Sequence, residues 1–368
     1  MKRAKTSDGK ILVALSGGVD SAVAAMLLKN QGCEVVGVFL RLFSGKKNRD
    51  AFGKAKKIAK ALNIKLISIG AGQAFKKKVI DYFLESYKKG ITPNPCVVCN
   101  KEIKFRLLIK LAKKYKANYI ATGHYARIKE FQIPNFKFQI KSKFQNPKLR
   151  ITNCKLLEAA DKKKDQSYFL YKLTQRELAK TIFPLENYTK DEVKKIAKKL
   201  KLPVEKSESQ DVCFIDKDIS SFLKKHLRLK PGNIINEEGN ILGKHQGLAL
   251  FTIGQRKGLE IGGTGPYFVT EKKLGRNELV VSNNPADPSL SKKIFGIEKP
   301  NWIAGDLKFP SKAKVRIRYQ APLFDAIIKK DKRGSIKVSL KKPLRSLTPG
   351  QSAVFYRGEE ALGGGIIS

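Results

Sequence analysis

The sequence predicts an α/β protein, with a helix-covered parallel sheet in its first half followed by two smaller β-rich units. Three observations carry this. From residue 11 to 125, apolar strand-like runs alternate with helix-like stretches, the pattern of a parallel sheet buried on both faces. From about residue 216 the chain becomes Gly-rich, with short strands and turns. Residues 285–368 then show short β runs between turn signals, at the spacing of a small barrel or sandwich. These changes divide the chain into expected units at 1–215, 216–284 and 285–368.

In chain order, ILVAL (11–15) reads as a buried strand, a polar loop follows, and SAVAAMLLKNQG reads as a helix closed by Gly32. VVGVFL (35–40) is the next strand, FGKAKKIAKAL a helix, and KLISIG (65–70) a third strand. FKKKVIDYFLESYKKG is a helix ending at Gly90. KEIKFRLLIKLAKKY is another, before the strand NYIATGHY. DKKKDQSYFLYKL is expected to resume helix after a basic, Phe-rich stretch at 127–150, which reads as a basic hairpin or a solvated insertion. DEVKKIAKKLKLPV is a basic amphipathic helix ending before Pro203. In the last unit AKVRIRYQ, DAIIKKD, SIKVSLKKP and QSAVFYRG read as strands.

Lys plus Arg number 75 against 32 Asp plus Glu, a net charge of +43. A field of that size attracts polyanions, RNA or DNA first. The excess is Lys-heavy and spread along the chain, so genomic base composition also accounts for its size. No apolar run approaches a membrane span, and the basic start MKRAKTSDGK lacks the apolar core of a signal peptide. A strand pattern beginning at Ile11 leaves little room for a transit peptide. With five dispersed cysteines suited to a reducing compartment, the expected location is cytoplasmic, with no membrane partner.

The string VALSGGVDSAV sets a Gly-Gly turn between a buried strand and a helix N-terminus. Glycines let backbone N–H groups approach phosphate oxygens, the helix dipole favours negative charge, and serine hydroxyls add donors. The loop lacks the Walker lysine and the dinucleotide spacing. Further on, NPCVVCN places Cys96 and Cys99 at a spacing that suits zinc, redox chemistry or neither. Zinc needs two more ligands, and the chain offers no second CxxC or spaced His pair among three histidines. Cys213, in SQDVCFI, reads on its own as a buried structural cysteine.

SGGVDS resembles the pyrophosphatase loop of enzymes that cleave ATP between its α and β phosphates and adenylate a substrate oxygen. With TPNPCVVCNKEIKF (92–105), ATGHYARI (121–128), KDQSYFL (164–170), SQDVCFI (209–215), GLALFTIGQRKGL (247–259), RIRYQ (316–320) and TPGQSAVFY (348–356), the chain is similar nearly end to end to the bacterial tRNA-specific 2-thiouridylases. Its main departure is the basic Phe-rich insertion around 131–150.

The resemblance implies an adenine nucleotide alpha hydrolase-like (Rossmann-like) first domain, a central β-rich domain and a C-terminal β-barrel. It implies ATP-dependent adenylation of the wobble uridine O2 in tRNA, then sulfur transfer from a Cys persulfide to give 2-thiouridine, AMP and pyrophosphate. ATP would be held by Ala14, Leu15, Ser16, Gly17, Gly18, Val19, Asp20 and Ser21, with Leu40 and Gly123 at the nucleotide and Mg²⁺ neutralising phosphate charge. Cys213 would carry the persulfide and Cys99 would be its nucleophilic partner, leaving a Cys99–Cys213 disulfide. Asn94, Pro95 and Cys96 would face the target base. His124, Lys164, Asp165, Gln166, Arg318, Tyr319 and Gln351 match tRNA-contact positions. Cys96 stands where some family members carry Asp, so an essential carboxylate there does not carry over. A sulfur-donor protein, either a cysteine desulfurase or a relay protein, is also implied. A mobile loop over Cys213 is expected.

Overall fold

The computed structural model describes residues 9–130, 154–203, 212–262, 266–305, 307–345 and 347–368. β1 (Lys10–Ala14) leads through α1 (Val19–Asn30) to β2 (Glu34–Arg41), and α2 (Lys46–Ala61) leads to β3 (Lys65–Gly70). A helix then runs as α3 (Gly72–Phe75), a π turn at Lys76–Ile80, and α4 (Asp81–Lys88). The next helix is built the same way, from α5 (Pro95–Cys99), a π turn at Asn100–Phe105, and α6 (Arg106–Lys114). After β4 (Tyr119–Ala121) come β5 (Arg127–Glu130), β6 (Cys154–Leu157), α7 (Gln175–Leu178), β7 (Thr181–Ile182) and α8 (Lys190–Lys199).

The first sheet has the order β3-β2-β1-β4-β7, and every pair is parallel. β1 lies at its centre because Ile11, Leu12 and Val13 are apolar and fully buried, so both of its faces need cover. Leu12, Val36 and Val38 pack with Phe105, Leu108 and Tyr168 on one face. Ile11, Val13 and Phe39 pack with Ala22, Val23 and Ile58 on the other. The chain passes from β1 to β2 on one side and later to β4 on the other. The C-terminal ends of β1 and β4 therefore border a switch point, where open α/β sheets bind ligands.

Two expected segments differ. Residues 161–173 form turns and one 3-10 turn at Ser167–Phe169, not a helix. The Asp161 carboxylate accepts from the Lys163 and Lys164 amides, and that of Asp165 accepts from Ser167. Such local side-chain acceptors compete with helix hydrogen bonds. The stretch after residue 216 opens with a helix, α9 (Ile219–His226), because Asp218 caps it by accepting from the Ser221 amide at 2.8 Å. The 131–150 insertion and the segment 204–211 before Cys213 lie outside the described residues.

The central unit holds β8 (Gly232–Ile235), β9 (Ile241–His245), β10 (Phe268–Lys273) and β11 (Glu278–Ser282), in the order β10-β11-β8-β9. β12 (Ser291–Trp302), β13 (Ser311–Arg316), β14 (Phe324–Lys330), β15 (Ile336–Arg345), β16 (Ser352–Arg357) and β17 (Glu360–Ile367) form an antiparallel barrel closed by β12–β17 pairing. This is the fold class the sequence predicts. The barrel sheet also extends into the first half of the chain, because β6 pairs with β17 and β5 with β6. An ion network, buried at Glu158 and Asp165 and exposed at Glu359, seals that junction. Arg316 reaches Glu158 at 2.9 Å and Asp165 at 3.2 Å, and Arg127 and Lys162 both hold Glu359.

Candidate active site

The phosphate-type loop lies at the switch point. Gly18 is the N-cap of α1 with no side chain to satisfy the first helical amides, which leaves those donors for an anion. The Ser16 and Ser21 hydroxyls lie 3.2 Å apart, and Ser21 Oγ donates to the Gly18 carbonyl at 2.9 Å, which fixes the turn. Backbone donors beside two hydroxyls fit the phosphates of ATP. Ala14 ends β1, Leu15 is buried, and Val19 and Asp20 begin the helix. Leu40 lies near the end of β2, partly buried against the core on that face of the sheet. Among the described residues no group of three His, Cys, Asp or Glu side chains is placed to hold a metal ion.

Asp20 is the carboxylate of this loop, and it is already engaged. Lys190 Nζ, from the first turn of α8, lies 2.6 and 2.7 Å from its two oxygens, and the Tyr125 hydroxyl donates at 2.8 Å. Neither Lys190 nor Tyr125 stands out in the sequence as a partner for Asp20. Lys190 lies 170 residues from Asp20, and nothing local marks it.

Gly123 packs directly against this loop. A Cβ there would lie 2.8 Å from the Asp20 carbonyl carbon and from the Ser21 nitrogen, so only glycine lets the loop after β4 touch the start of α1. Next to it, His124 shares a 2.8 Å hydrogen bond with the Thr122 hydroxyl and sits between the rings of Phe105 and Phe183. Burial, then the charge of Lys104, pushes its pKa down to about 3. It is therefore neutral at physiological pH, able to hydrogen-bond but not to pair with a phosphate as a cation.

Cys99 and Cys213 come together although they lie over a hundred residues apart in sequence. Cys99 is buried in a cluster with Phe75, Val79 and Ile103, and Phe214 packs on that same cluster. The Phe214 ring lies 5.7 Å from that of Phe75 and 5.4 Å from those of Phe83 and Phe222. These contacts anchor the residue next to Cys213 against α3, α4 and α9, within the cluster that also buries Cys99. The Lys47 ammonium holds the same segment by donating to the Ile215 carbonyl at 3.1 Å. Cys213 itself is exposed, unlike the buried structural thiol that its sequence suggests in isolation.

Lys104 is the cation of this cluster. Lys104 lies in the Asn100–Phe105 π turn that follows Cys99, and its charge acts on the thiols there. Burial pushes the Cys99 thiol up to about 12, opposed by Lys104 and assisted by the neighbouring Cys213 and Cys96 sulfurs. Cys213 is also raised, because protein crowds it on several sides even though its surface is open. Lys104 and Lys47 act the other way. Burial alone would lower the Lys104 pKa, but the sulfurs of Cys99, Cys213 and Cys96 outweigh it and hold it raised. Nothing within TPNPCVVCNKEIKF marks Lys104, since a π turn has no sequence signature.

The expected RNA-facing residues divide into several groups. Asn94 caps α5 by accepting from the Val97 amide at 3.4 Å, and Pro95 occupies its first position. Cys96 is half-buried beside the other two thiols. Gln351 donates to the Thr92 carbonyl at 3.0 Å, so the barrel holds the loop leading into NPC. Arg318 is exposed and donates to Thr348 at 2.9 Å. Tyr319 forms an aromatic shelf with Phe169, their ring centres 4.6 Å apart. Lys164 is half-exposed, and Gln166 exchanges hydrogen bonds with the Tyr125 backbone. Asp165 is 3% exposed. Its carboxylate accepts from Ala159, Ser167 and Arg316, which makes it a tie between loop and barrel, not an open contact.

Family models described as the tRNA methyl transferase HUP domain, the tRNA methyl transferase PRC-barrel domain and the aminomethyltransferase beta-barrel domain match residues 9–217, 220–283 and 292–367. The tRNA-specific 2-thiouridylase MnmA of Blochmanniella floridana is 40% identical over 97% of this chain and 96% of its own. That of Carboxydothermus hydrogenoformans is also 40% identical, over 97% of each. The domain descriptions name a methyltransferase, whereas the full-length relatives name a thiolase, and the grouping of Cys99, Cys213 and Cys96 suits thiolation. The chain belongs to the tRNA-specific 2-thiouridylase family.

Proposed function

We propose that the protein is a tRNA-uridine 2-sulfurtransferase that uses ATP to activate O2 of the wobble uridine and Cys213 to deliver sulfur. The observation that carries this reading is the grouping of Cys99, Cys213 and Cys96 in the field of one ammonium, that of Lys104, whose charge also acts on His124. His124 follows Gly123, which packs against the Ser16–Ser21 loop. This supports a sulfur-transfer site in the same domain as the phosphate-type loop.

A uracil carbonyl oxygen leaves poorly, and adenylation makes it a good leaving group. The loop amides and serine hydroxyls bind the phosphates, and the departing pyrophosphate gathers charge at the α1 N-terminus. Mg²⁺, were it bound, would be held by the phosphates and Asp20 and would neutralise that charge. Lys190, which holds Asp20 at 2.6 and 2.7 Å, sets a second positive charge beside the loop.

The outer sulfur of a Cys213 persulfide attacks C2, and AMP leaves. Cys99 thiolate attacks the Cys213 sulfur, breaks the S–S bond and releases the thiocarbonyl. If Cys99 acts first, hydrosulfide is the attacking species. Either order gives 2-thiouridine, AMP, pyrophosphate and a Cys99–Cys213 disulfide, which an external dithiol must reduce before the next turnover. The exposure of Cys213 suits loading by a sulfur-donor protein, because that sulfur must be reached from outside. Lys104 stabilises each thiolate as it forms.

On the RNA side, Arg318 and Lys164 would hold backbone phosphates and the Tyr319 ring would stack on a base, a reading that the exposure of Arg318 supports. No helix among the described residues is long and apolar enough to cross a membrane. The deciding experiment is mass spectrometry of tRNA nucleosides after incubation with ATP and a persulfide donor. The expected result is 2-thiouridine with the wild type and none with Cys213→Ala. Undiminished product in that variant would overturn the assignment.

A further inference from the structure

Asn100 follows Cys99 directly and begins the π turn. It is 3% exposed. Its side-chain Nδ2 donates to the Phe169 carbonyl at 3.2 Å, yet its Oδ1 is buried with no hydrogen-bond partner. The amide cannot simply be turned over, because two carbonyl oxygens would then face each other. A buried acceptor without a donor is costly, and in a native fold it calls for an explanation. A structural tie to Phe169 accounts for the nitrogen and leaves the oxygen unexplained.

We propose that Asn100 is a specificity-determining residue whose Oδ1 accepts a hydrogen bond from N3–H of the target uracil. The proposal rests on the sulfurtransferase reading above. Sulfur arrives at C2, and N3 is bonded to C2, so a group that reads N3 must sit next to the sulfur-transfer residues. Asn100 is one residue from Cys99. Phe169, which fixes the amide, also contributes its ring to the shelf with Tyr319, so the base edge and a stacking face meet at one residue.

The chemistry selects a pyrimidine. Uracil offers a donor at N3, whereas cytosine offers an acceptor there that would oppose Oδ1. Both bases carry the O2 that ATP activates, so without such a reader cytidine would also be open to adenylation. Sites that hydrogen-bond a substrate donor reject analogues lacking it, because the buried partner is left unpaired.

The test uses the full-length protein with two tRNA transcripts that differ only in carrying U34 or C34, following RNA-dependent AMP formation and, for U34, 2-thiouridine. Wild type should favour U34. Asn100→Ala should lower kcat/KM for U34 about 10- to 100-fold and reduce the U34/C34 ratio by a similar factor. Asn100→Asp keeps an acceptor and loses the bond to Phe169, so it should retain the ratio while losing thermal stability. An unchanged ratio in Asn100→Ala, or a ratio lost equally in both variants, would overturn the proposal while leaving the sulfurtransferase reading intact. Equal use of U34 and C34 by wild type would also overturn it and needs no variant. Failure of wild type to form 2-thiouridine would remove the reading beneath it.

Discussion

The Gln351 side-chain amide of the barrel donates to the Thr92 carbonyl at 3.0 Å, and the Thr92 amide donates to the Pro349 carbonyl, also at 3.0 Å. The loop that leads into Asn94, Pro95 and Cys96 is thereby held by a domain more than two hundred residues away. Gly350 makes this approach possible. Its φ is +92°, and a Cβ there would lie 2.8 Å from the Thr92 oxygen.

Gly350→Ala should therefore destabilise the protein by about 1–3 kcal/mol, through both strain and overpacking. Denaturant unfolding would measure this. Thiolation should fall more than ATP binding, because the damage is at the base-facing loop and not at the phosphate loop.

The three clustered thiols should separate functionally. Cys99→Ser and Cys213→Ser should abolish 2-thiouridine formation, since neither an S–S attack nor a persulfide survives. Cys96→Ser should stay within about fivefold of wild type, a barrier change of ~1 kcal/mol. Single-turnover assays with nucleoside mass spectrometry would distinguish them, and Cys96→Ser inactivity would give that thiol a role of its own.

Lys104 should control Cys99 reactivity. The Cys99 pKa is pushed up to about 12 even with Lys104 beside it, so Lys104→Met should raise it further. At pH 8 each added unit lowers the thiolate fraction about tenfold, and iodoacetamide labelling of Cys99 should slow accordingly. The same shift has a stability sign. The folded state keeps its proton above the unfolded thiol pKa, so stability from this group falls as pH rises from about 9 to about 12.

His124 should act at the opposite end of the pH scale. Its folded pKa of about 3 lies below the ordinary 6.5, so the unfolded chain binds the proton first. Stability should fall as pH drops from about 6.5 towards 3, with a slope of at most about 1.4 kcal/mol per pH unit from this group. A His124→Gln variant should show a shallower acid slope in the same window.

Asp20→Asn should leave the fold near wild type but weaken the hold on Lys190 and Tyr125. Its ATP-dependent pyrophosphate release should fall by about 10-fold or more, as a charged group at a phosphate site is lost. Lys190→Met should lower the same rate, and a normal rate in Lys190→Met would exclude a role for its charge at the phosphates.

The sequence by itself determined the layers and the phosphate-type loop. Apolar runs such as ILVAL and VVGVFL need cover on two faces, and SGGVDS between a strand and a helix places free amides at a helix end. These are local consequences of periodicity and backbone chemistry. Cys99 and Cys213 were legible through family likeness, whereas Cys213 alone resembled a buried structural thiol. Tertiary structure decided the rest. A π turn carries Lys104 just after Cys99, the Phe214 anchor holds Cys213 in the same cluster, and Lys190 reaches Asp20 from α8, which packs on α1. Arg316 converts Asp165 from an expected RNA contact into a tie between loop and barrel. Each of these joins groups distant in the chain, or depends on a helix irregularity with no sequence signature, so only the packed fold specifies them.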